Sequence, residues 1–265
     1  MLVHDDIIDK SDMRRGAPSM HALLNRYLLS SKNVKFNGED LAIVIGDVMY
    51  AMGLDAFLSV KEDLRRKEAA LRKLISAALY TGSGEFIELL LGIKPIEKVT
   101  QEDIYKIYDY KTANYTFASP LTMGSTLAGA KISQTDKLFS YGLLLGRAFQ
   151  IKDDIIGTFG KEKDTGKPNL TDIKEAKRTL LLWHAFNHTD KKDKFIIKRV
   201  MESKFSNNFE LLKIRKIIAK SGALAYAENQ IKYLSSKAKI QLHSLKMDSR
   251  YKQVLDNFSQ RILKT

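Results

Sequence analysis

Cysteine is absent from this 265-residue chain, tryptophan occurs once and proline four times. Without cysteine the chain cannot form disulfide bonds or thiolate metal sites, and we expect a reducing compartment, the cytoplasm. No secretory signal is expected at the N-terminus, because acidic residues follow almost immediately. No Ser-His-Asp arrangement is recognisable either, so nothing points to catalysis by a nucleophilic side chain.

The composition is that of a globular protein, with 44% hydrophobic and 28% charged residues. The length suffices for one large domain over residues 1–265. Apolar residues recur at helical spacing nearly throughout, with the prolines between the periodic segments, which predicts an all-α bundle. The pair Thr100 and Asp103, and the pair Ser133 and Asp136, have the spacing of helix N-terminal caps.

The most apolar stretch, residues 41–60, is long enough to cross a membrane. Asp47 and Asp55 within it make insertion costly, so we expect a buried core helix instead. Gly82 and Gly84 lack the lysine and the helix start of a phosphate-binding loop. These glycines therefore indicate a helix bend or close packing.

Two clusters of aspartates carry the strongest chemical signal: Asp5, Asp6 and Asp9 in DDIID, and Asp153 and Asp154 in FQIKDD. On a helix, residues four apart lie on one face, so the carboxylates of each cluster can converge. Like charges are costly to desolvate unless a cation neutralises them. Oxygen ligands without histidine or cysteine suit Mg²⁺ together with phosphate oxygens. One such cluster alone could equally be a solvated helix end.

Basic residues follow both clusters. Arg14 and Arg15 follow the first, and Lys167 and Lys177 follow the second. Metal ions with Arg and Lys are what a diphosphate leaving group requires, because negative charge accumulates on it as its C–O bond breaks. Arg offers a planar fork to phosphate oxygens, and Lys a mobile point charge. Surface salt bridges are the alternative, although they do not explain why the pattern occurs twice.

These residues resemble the trans-isoprenyl diphosphate synthases, also called polyprenyl synthetases. DDIIDKSDMRRG is similar to the first aspartate-rich motif of that family, and FQIKDDIIGTFG with TGKPNLTDIKEAKRTLL is similar to the second motif and the segment after it. Lys111 and Thr112 match the family's Lys-Thr pair. The motifs occur in the family's order, and the resemblance covers residues 1–185 well. It implies an isoprenoid-synthase-type bundle of roughly ten or more helices around a central cavity.

The resemblance implies a site for several Mg²⁺ ions. Asp5, Asp9 and Asp153 would ligate them most directly, with support from Asp6 and Asp154. The cofactor would neutralise the diphosphate that leaves.

The resemblance also implies how the two substrates are held. Arg14, Lys111 and Lys167 would bind the diphosphate of the allylic substrate. Arg15 would bind the diphosphate of isopentenyl diphosphate, and Lys177 would close over the diphosphates from the far side.

The reacting carbon atoms need polar neighbours as well. Thr112 and Gln150 would place oxygen atoms near the allylic carbocation, and with Lys111 they form the implied catalytic set. Ionisation, attack by the isopentenyl double bond and loss of a proton would then lengthen the chain head to tail, giving a product such as farnesyl or geranylgeranyl diphosphate. The resemblance further implies a homodimer.

Two departures from the family pattern limit the resemblance. Gly157 stands where many members have a third aspartate, so we expect weaker metal binding. The sequence begins at Met1, directly before the first motif, whereas the family has several helices upstream with further residues for isopentenyl diphosphate. We expect that this is not the natural start, or else that the short form binds its substrates poorly. Product length stays open.

Other functions remain as alternatives. A terpene cyclase or head-to-head synthase would share the aspartates, but not the paired arginines and the GKP segment. A non-catalytic or impaired diphosphate-binding subunit is the alternative outside enzymes, and the intact Asp5, Asp9, Lys111 and Asp153 argue against it. His4, beside the first motif, indicates a supporting hydrogen bond more than metal ligation.

The formal net charge of +13 is unevenly distributed. Residues 1–160 contain 20 Lys and Arg against 20 Asp and Glu, whereas residues 161–265 contain 24 against 11. We therefore expect the C-terminal helices, residues 186–265, to present a basic face that favours peripheral contact with anionic membranes. A solvated lysine-rich surface is the alternative. No nucleic-acid partner is expected, because no recognition motif is present and the clusters are acidic.

Overall fold

A computed structural model describes residues 1–31, 33–160, 170–203 and 207–264, apart from the side chain of Thr171. Within these ranges more than ten α-helices and a single two-stranded hairpin form the regular structure. The all-α prediction is therefore confirmed, whereas the central cavity stays a prediction. Backbone contacts divide the described residues into two compact units, the first within residues 1–61 and the second within residues 62–159 and 170–264.

The first unit contains three helices and the hairpin. They are α1 Leu2–Ile8, strands β1 Met13–Arg14 and β2 Ala17–Pro18, α2 Met20–Leu28 and α3 Gly38–Leu58. The hairpin was not foreseen by the helical periodicity. Its two-residue turn has positive φ at both positions, 53° at Arg15 and 78° at Gly16, and this conformation matches the twist of antiparallel strands.

Helix α3 begins with a reciprocal cap, because the Asn37 side chain accepts from the backbone of Asp40 and the Asp40 side chain accepts from the backbone of Asn37. The expectation of a buried core helix is wrong for this segment. Only Gly38, Ala42 and Gly46 of this helix are buried, and large apolar side chains such as Val44 remain exposed. An apolar composition does not reveal whether the covering surface belongs to the same chain.

The second unit is built from longer helices. It contains α4 Leu64–Ile93, a 3₁₀ turn Ile96–Lys98, α5 Gln101–Ile107, a π-helix Tyr108–Ala118, α6 Ser119–Leu127, α7 Ile132–Phe159, α8 Thr171–Lys174, α9 Leu180–Asn187, α10 Lys191–Glu202, α11 Asn208–Lys220, α12 Ala223–His243 and α13 Ser249–Leu263. Segments of π-helix are rare in proteins and frequently lie at functional sites. Here the π-helix contains the Lys-Thr pair.

By length and composition alone, α3 and α4 could each cross a membrane. Most of each candidate window is exposed within this chain, because 11% of the α3 window and 28% of the α4 window are buried. Such helices are weak evidence for a membrane span, since apolar helices that pack against protein have the same length and composition.

The main hydrophobic core lies in the second unit, where α5, α7 and helices α9 to α12 converge. Ile104, Ile151, Leu180, Ile197 and Ile214 are fully buried there. Full burial of each such side chain contributes about 1.5–3 kcal/mol relative to exposure. This core fixes the inner faces of α7 and α9, from which several polar residues project.

Helix starts in the second unit test the predicted caps. Thr100 and Asp103 form a reciprocal cap before α5, as predicted. Ser133 was expected to cap a helix, but α7 already begins at Ile132, so Ser133 lies within its first turn. We expected Pro120 between helical segments, whereas it lies in the first turn of α6, directly after the π-helix.

The π-helix is packed closely on two sides. A Cβ atom added to Gly84 of α4 would lie 2.6 Å from the backbone nitrogen of Lys111, and one added to Gly142 of α7 would lie 2.5 Å from Cα of Ala118. Gly146 of α7 approaches Ala113 in the same way. Close packing was one of the two expectations for Gly84, whereas a Cβ on Gly82 would meet nothing within 4 Å.

Gly146→Ala should destabilise the protein, because the added methyl group meets the backbone of Ala113. We expect a loss of about 1–3 kcal/mol in the free energy of unfolding, measured by urea denaturation. Gly124→Ala in α6 is the control, because a Cβ there meets nothing within 4 Å and should stabilise its helix by about 0.5–1 kcal/mol. Equal stability of both variants would contradict the close contact.

Candidate functional site

The first aspartate motif lies at the end of α1. The backbone N–H of Asp9 donates to the carbonyl of Asp5 at 2.9 Å, so these residues are one turn apart, as predicted. Carboxylate oxygens of Asp5 and Asp9 come within 4.8 Å of each other, and both residues are partly exposed. This oxygen pair fits a hard divalent cation such as Mg²⁺.

Asp6 points the other way and holds Arg14. Its side chain is 4% exposed, and both carboxylate oxygens accept from Nε of Arg14 at 2.7 Å. Nη2 of Arg14 also donates to Asp5 at 2.9 Å. The hydrogen bond that Arg14 donates to Asp6 raises the pKa of Arg14 above its ordinary value. Asp6, predicted to support the metal, thus fixes the arginine predicted to bind diphosphate.

Arg15 lies at the tip of the hairpin and is exposed. Its positive φ is uncommon for a residue with a side chain, and Arg15 is exposed whereas Arg14 is partly buried. The two consecutive arginines therefore have different surroundings, as their different predicted substrates require.

His4 joins α1 to α3 within the first unit. Its Nε2 lies 3.1 Å from the carbonyl of Ile43 and 3.3 Å from Asp47, and a Cβ on Gly46 would lie 2.5 Å from the same ring. The histidine therefore supports the first motif through hydrogen bonds, as expected.

The second motif lies on the C-terminal part of α7. Asp153 is exposed and Asp154 is 4% exposed. Because consecutive helical residues point about 100° apart, one aspartate faces solvent and the other faces the core. The predicted direct ligand, Asp153, is thus accessible to a cation.

Thr112 and Gln150, predicted to lie near the carbocation, are brought together. The Thr112 hydroxyl donates to Oε1 of Gln150 at 2.7 Å, and Nε2 of Gln150 donates to Oδ1 of Asp154 at 3.0 Å. Oδ2 of Asp154 accepts from the hydroxyl of Tyr108, which accepts from the backbone N–H of Leu180 at 3.0 Å. One hydrogen-bonded chain therefore links the Lys-Thr segment, the second motif and the start of α9.

Burial dominates the electrostatics of this chain of hydrogen bonds. Burial raises the pKa of Asp154 well above its usual range, and the neighbouring Asp172 carboxylate raises it further. Burial also raises the pKa of Tyr108, with a contribution from Asp154. Asp154 was predicted to support the metal, but both of its oxygens are bonded inside the protein.

Lys111 is held by two carboxylates of α4. Its Nζ lies 2.8 Å from Glu85 and 2.6 Å from Glu88, and all three side chains are less than 20% exposed. The contact depends on Gly84, whose missing side chain lets α4 approach the π-helix. Lys111 therefore has a defined position before any phosphate binds.

The position of the missing third aspartate is partly filled from elsewhere. An oxygen of Asp172, on α8, lies 2.5 Å from where a Cβ on Gly157 would be, so this segment brings a carboxylate to that place. Lys177 lies 3.0 Å from Glu175 and 4.0 Å from Asp172. Lys167 lies outside the described residues.

Five residues of these clusters were not foreseen from the sequence: Glu85, Glu88, Tyr108, Asp172 and Glu175. Glu85 directly follows the glycine that was expected to pack closely, which is a weak local signal for a helix contact. Asp172 and Glu175 lie in the segment that resembles the family, which is a second signal. Glu88 and Tyr108 lie in no motif, and their roles depend on contacts between helices that are distant in sequence.

Comparisons with known proteins agree with this chemistry. A family model described as polyprenyl synthetase matches residues 1–218. A geranylgeranyl diphosphate synthase of Saccharolobus solfataricus is 31% identical over 242 residues, covering 89% of this chain and 67% of the relative. A geranylfarnesyl diphosphate synthase of Aeropyrum pernix is 30% identical over 241 residues, covering 90% of this chain and 70% of the relative.

Among solved structures, a geranylgeranyl pyrophosphate synthase from Corynebacterium glutamicum superposes with a TM-score of 0.88 at 29% identity. The match covers 99% of this chain and 74% of that one. That protein was crystallised with isoprenyl diphosphate and magnesium. The chain therefore spans about two thirds to three quarters of the length of these relatives.

Proposed function

The chain belongs to the polyprenyl synthetase family and is a prenyltransferase of the polyprenyl diphosphate synthase type, and we propose that it depends on Mg²⁺ and joins isopentenyl diphosphate to an allylic diphosphate. The observation that carries this proposal is the contact between Thr112 and Gln150, at 2.7 Å. It brings the polar atoms assigned to the carbocation side by side.

The metal-binding proposal rests on the accessible oxygen atoms of both motifs. Asp5 and Asp9 in the first motif and Asp153 in the second are the Mg²⁺ ligands, because their carboxylates are at least partly exposed. The buried Asp6 serves this site by holding Arg14. When bound, Mg²⁺ neutralises the charge that develops on the departing diphosphate.

The cationic side chains bind the two diphosphates. Arg14 and Lys111 each exchange a carboxylate partner for phosphate oxygens of the allylic substrate, and Lys177 does so from α8's C-terminal side. Arg15 binds isopentenyl diphosphate from the exposed tip of the hairpin. Hydrogen bonds between these cations and phosphate oxygens are charge-assisted and about twice as strong as neutral ones. Each cation therefore has an anionic partner both before and after the substrate binds.

The reaction then needs only side chains that position the two substrates and stabilise the allylic carbocation. The allylic C–O bond breaks with its electron pair on the diphosphate, the isopentenyl double bond supplies the electrons of the new C–C bond, and a proton leaves to the departing diphosphate. The oxygens of Thr112 and Gln150 lie near the cation as fixed dipoles. A single prenyl-synthase domain over residues 1–265 performs these steps in the cytoplasm.

We propose a homodimer through α3. Ile43, Val44, Val48, Met49 and Met52 are 45–64% exposed, and exposed apolar surfaces of this kind mark interaction sites. Asp47 and Asp55 on the same helix would be costly in lipid, which favours a protein occupant. The proposed occupant is a second copy of the chain.

We propose that contact with anionic membranes is made by α13, in the basic part of the chain. Tyr251, Val254 and Phe258 share one helical face and are 62%, 62% and 40% exposed. The exposed Arg250 and Arg261 lie on the same helix. Exposed apolar residues beside arginines are typical of helices that lie at a membrane surface.

Asp5→Asn should lower turnover by several orders of magnitude, since it removes a charged ligand of the ion that stabilises the leaving group. The measurement is incorporation of labelled isopentenyl diphosphate into geranyl or farnesyl diphosphate, with Mg²⁺ varied. Asp136→Asn, an exposed residue of α7, is the matched control and should retain turnover. Near-normal turnover of Asp5→Asn would refute the assignment of Asp5 as a metal ligand. Chromatography of the products would also give the length of the prenyl chain that the enzyme makes.

Charges placed on α3 should separate the dimer. Val44→Lys with Met52→Lys is expected to raise the dissociation constant of the dimer at least about tenfold, because buried apolar contacts would be replaced by desolvated charges. Sedimentation equilibrium measures the change. Lys61→Glu, at an exposed position outside the helix, should leave the dimer intact; a monomeric wild-type chain would contradict the proposal.

Vesicle binding should depend on the two arginines of α13. Arg250→Glu with Arg261→Glu should weaken co-sedimentation with vesicles containing phosphatidylserine roughly tenfold at low salt, because each basic residue near the surface contributes about 1 kcal/mol. Lys191→Glu with Lys192→Glu changes the net charge equally on α10 and should retain binding. An equal loss of vesicle binding in both double variants, or no vesicle binding by the wild-type chain, would contradict the proposal.

A further inference from the structure

Asp154 has the surroundings of a positioning group. It is 4% exposed, Oδ1 accepts from Gln150 at 3.0 Å and Oδ2 accepts from Tyr108. Both oxygens already accept a donor from the protein, and at 4% exposure the carboxylate offers little access to a cation. The adjacent Asp153 is exposed, so the second motif already offers one accessible carboxylate.

We propose that Asp154 and Tyr108 orient the amide of Gln150, and that Asp154 is not a ligand of Mg²⁺. This inference rests on the proposed function. The Tyr108 hydroxyl donates to Oδ2 of Asp154, and the NH₂ group of Gln150 donates to Oδ1 at 3.0 Å, so Oδ1 holds the NH₂ side of the Gln150 amide. The carbonyl oxygen of that amide is then directed towards Thr112, whose hydroxyl donates to it at 2.7 Å.

Tyr108 anchors this orientation to the backbone. Its hydroxyl accepts from the N–H of Leu180 at 3.0 Å and donates to Asp154. Leu180 is fully buried and begins α9, where the first N–H groups of a helix have no partner within the helix. A fixed helix end therefore holds Tyr108, which holds Asp154, which holds Gln150.

The consequence is a dipole that is set before substrate arrives. A free glutamine amide could rotate and present either its oxygen or its NH₂ group to the cation, and only the oxygen is stabilising. Groups that are oriented in advance need no reorganisation during the reaction. Tyr108 and Asp154 thus act on the reaction through Gln150, without touching the substrate.

Measuring the affinity for Mg²⁺ distinguishes a positioning role of Asp154 from a role as a metal ligand. Titration calorimetry with Mg²⁺ in the presence of inorganic pyrophosphate should show at least about tenfold weaker binding for Asp153→Asn, whereas Asp154→Asn stays within about twofold of wild type. Weakening of Asp154→Asn equal to that of Asp153→Asn would overturn the inference alone. An Asp153→Asn variant with wild-type affinity and turnover would instead contradict the proposed function.

Removing one hydroxyl group tests the anchor. Tyr108→Phe should lower kcat roughly tenfold and change KM for both diphosphates less than about twofold, because orientation is lost and ground-state binding is kept. Tyr105→Phe is the matched control, since its hydroxyl donates to Gln230 at 3.0 Å, outside this chain of hydrogen bonds. Equal kcat values for both variants would overturn the inference.

A double-mutant cycle guards against a general loss of stability. Thr112→Val, Tyr108→Phe and the double variant are compared at a temperature below all three melting midpoints. If the residues act through one amide, the double variant should be no slower than the slower single variant, within about twofold. Losses that multiply would show independent effects and would overturn the inference.

Discussion

Close packing of the π-helix between α4 and α7 is the constraint on which the second unit depends. Helix axes can approach this closely only where the contact residues lack side chains, and Gly84, Gly142 and Gly146 supply those positions. The short distance between these helices allows two polar contacts. Thr112 reaches α7 to bond Gln150, and Lys111 reaches the carboxylates of α4. A methyl group at these glycines would part the helices by more than these hydrogen bonds tolerate.

A second consequence concerns charge. Within each unit, three described cations assigned to diphosphate lie beside carboxylates: Arg14 beside Asp5 and Asp6, Lys111 beside Glu85 and Glu88, and Lys177 beside Glu175. Isolated buried charges would be costly. The carboxylates stabilise these cations in defined positions, and a diphosphate offers the same kind of acceptor. Under the proposed function, binding would therefore replace a carboxylate partner of each cation by phosphate oxygens.

The sequence predicted what depends on local geometry. The spacing of Asp5 and Asp9 needs only a helical turn, and the Thr100 cap needs only three residues. It could not predict what depends on contacts between distant helices, such as the carboxylates that hold Lys111 across 23 residues. The α3 prediction was wrong for a related reason. Apolar residues indicate that a surface is covered, and composition cannot say whether this chain or another chain covers it.

The two consecutive aspartates of each motif have different surroundings. Neighbouring residues on a helix point about 100° apart, so two adjacent carboxylates meet different surroundings. In both motifs the second aspartate is buried: Asp6 binds Arg14, and Asp154 binds Gln150. The first aspartate of each pair is the more exposed one. The doubled aspartate thus places one accessible carboxylate outside the helix and one hydrogen-bonded carboxylate inside it, and a motif with only one aspartate would lose one of the two.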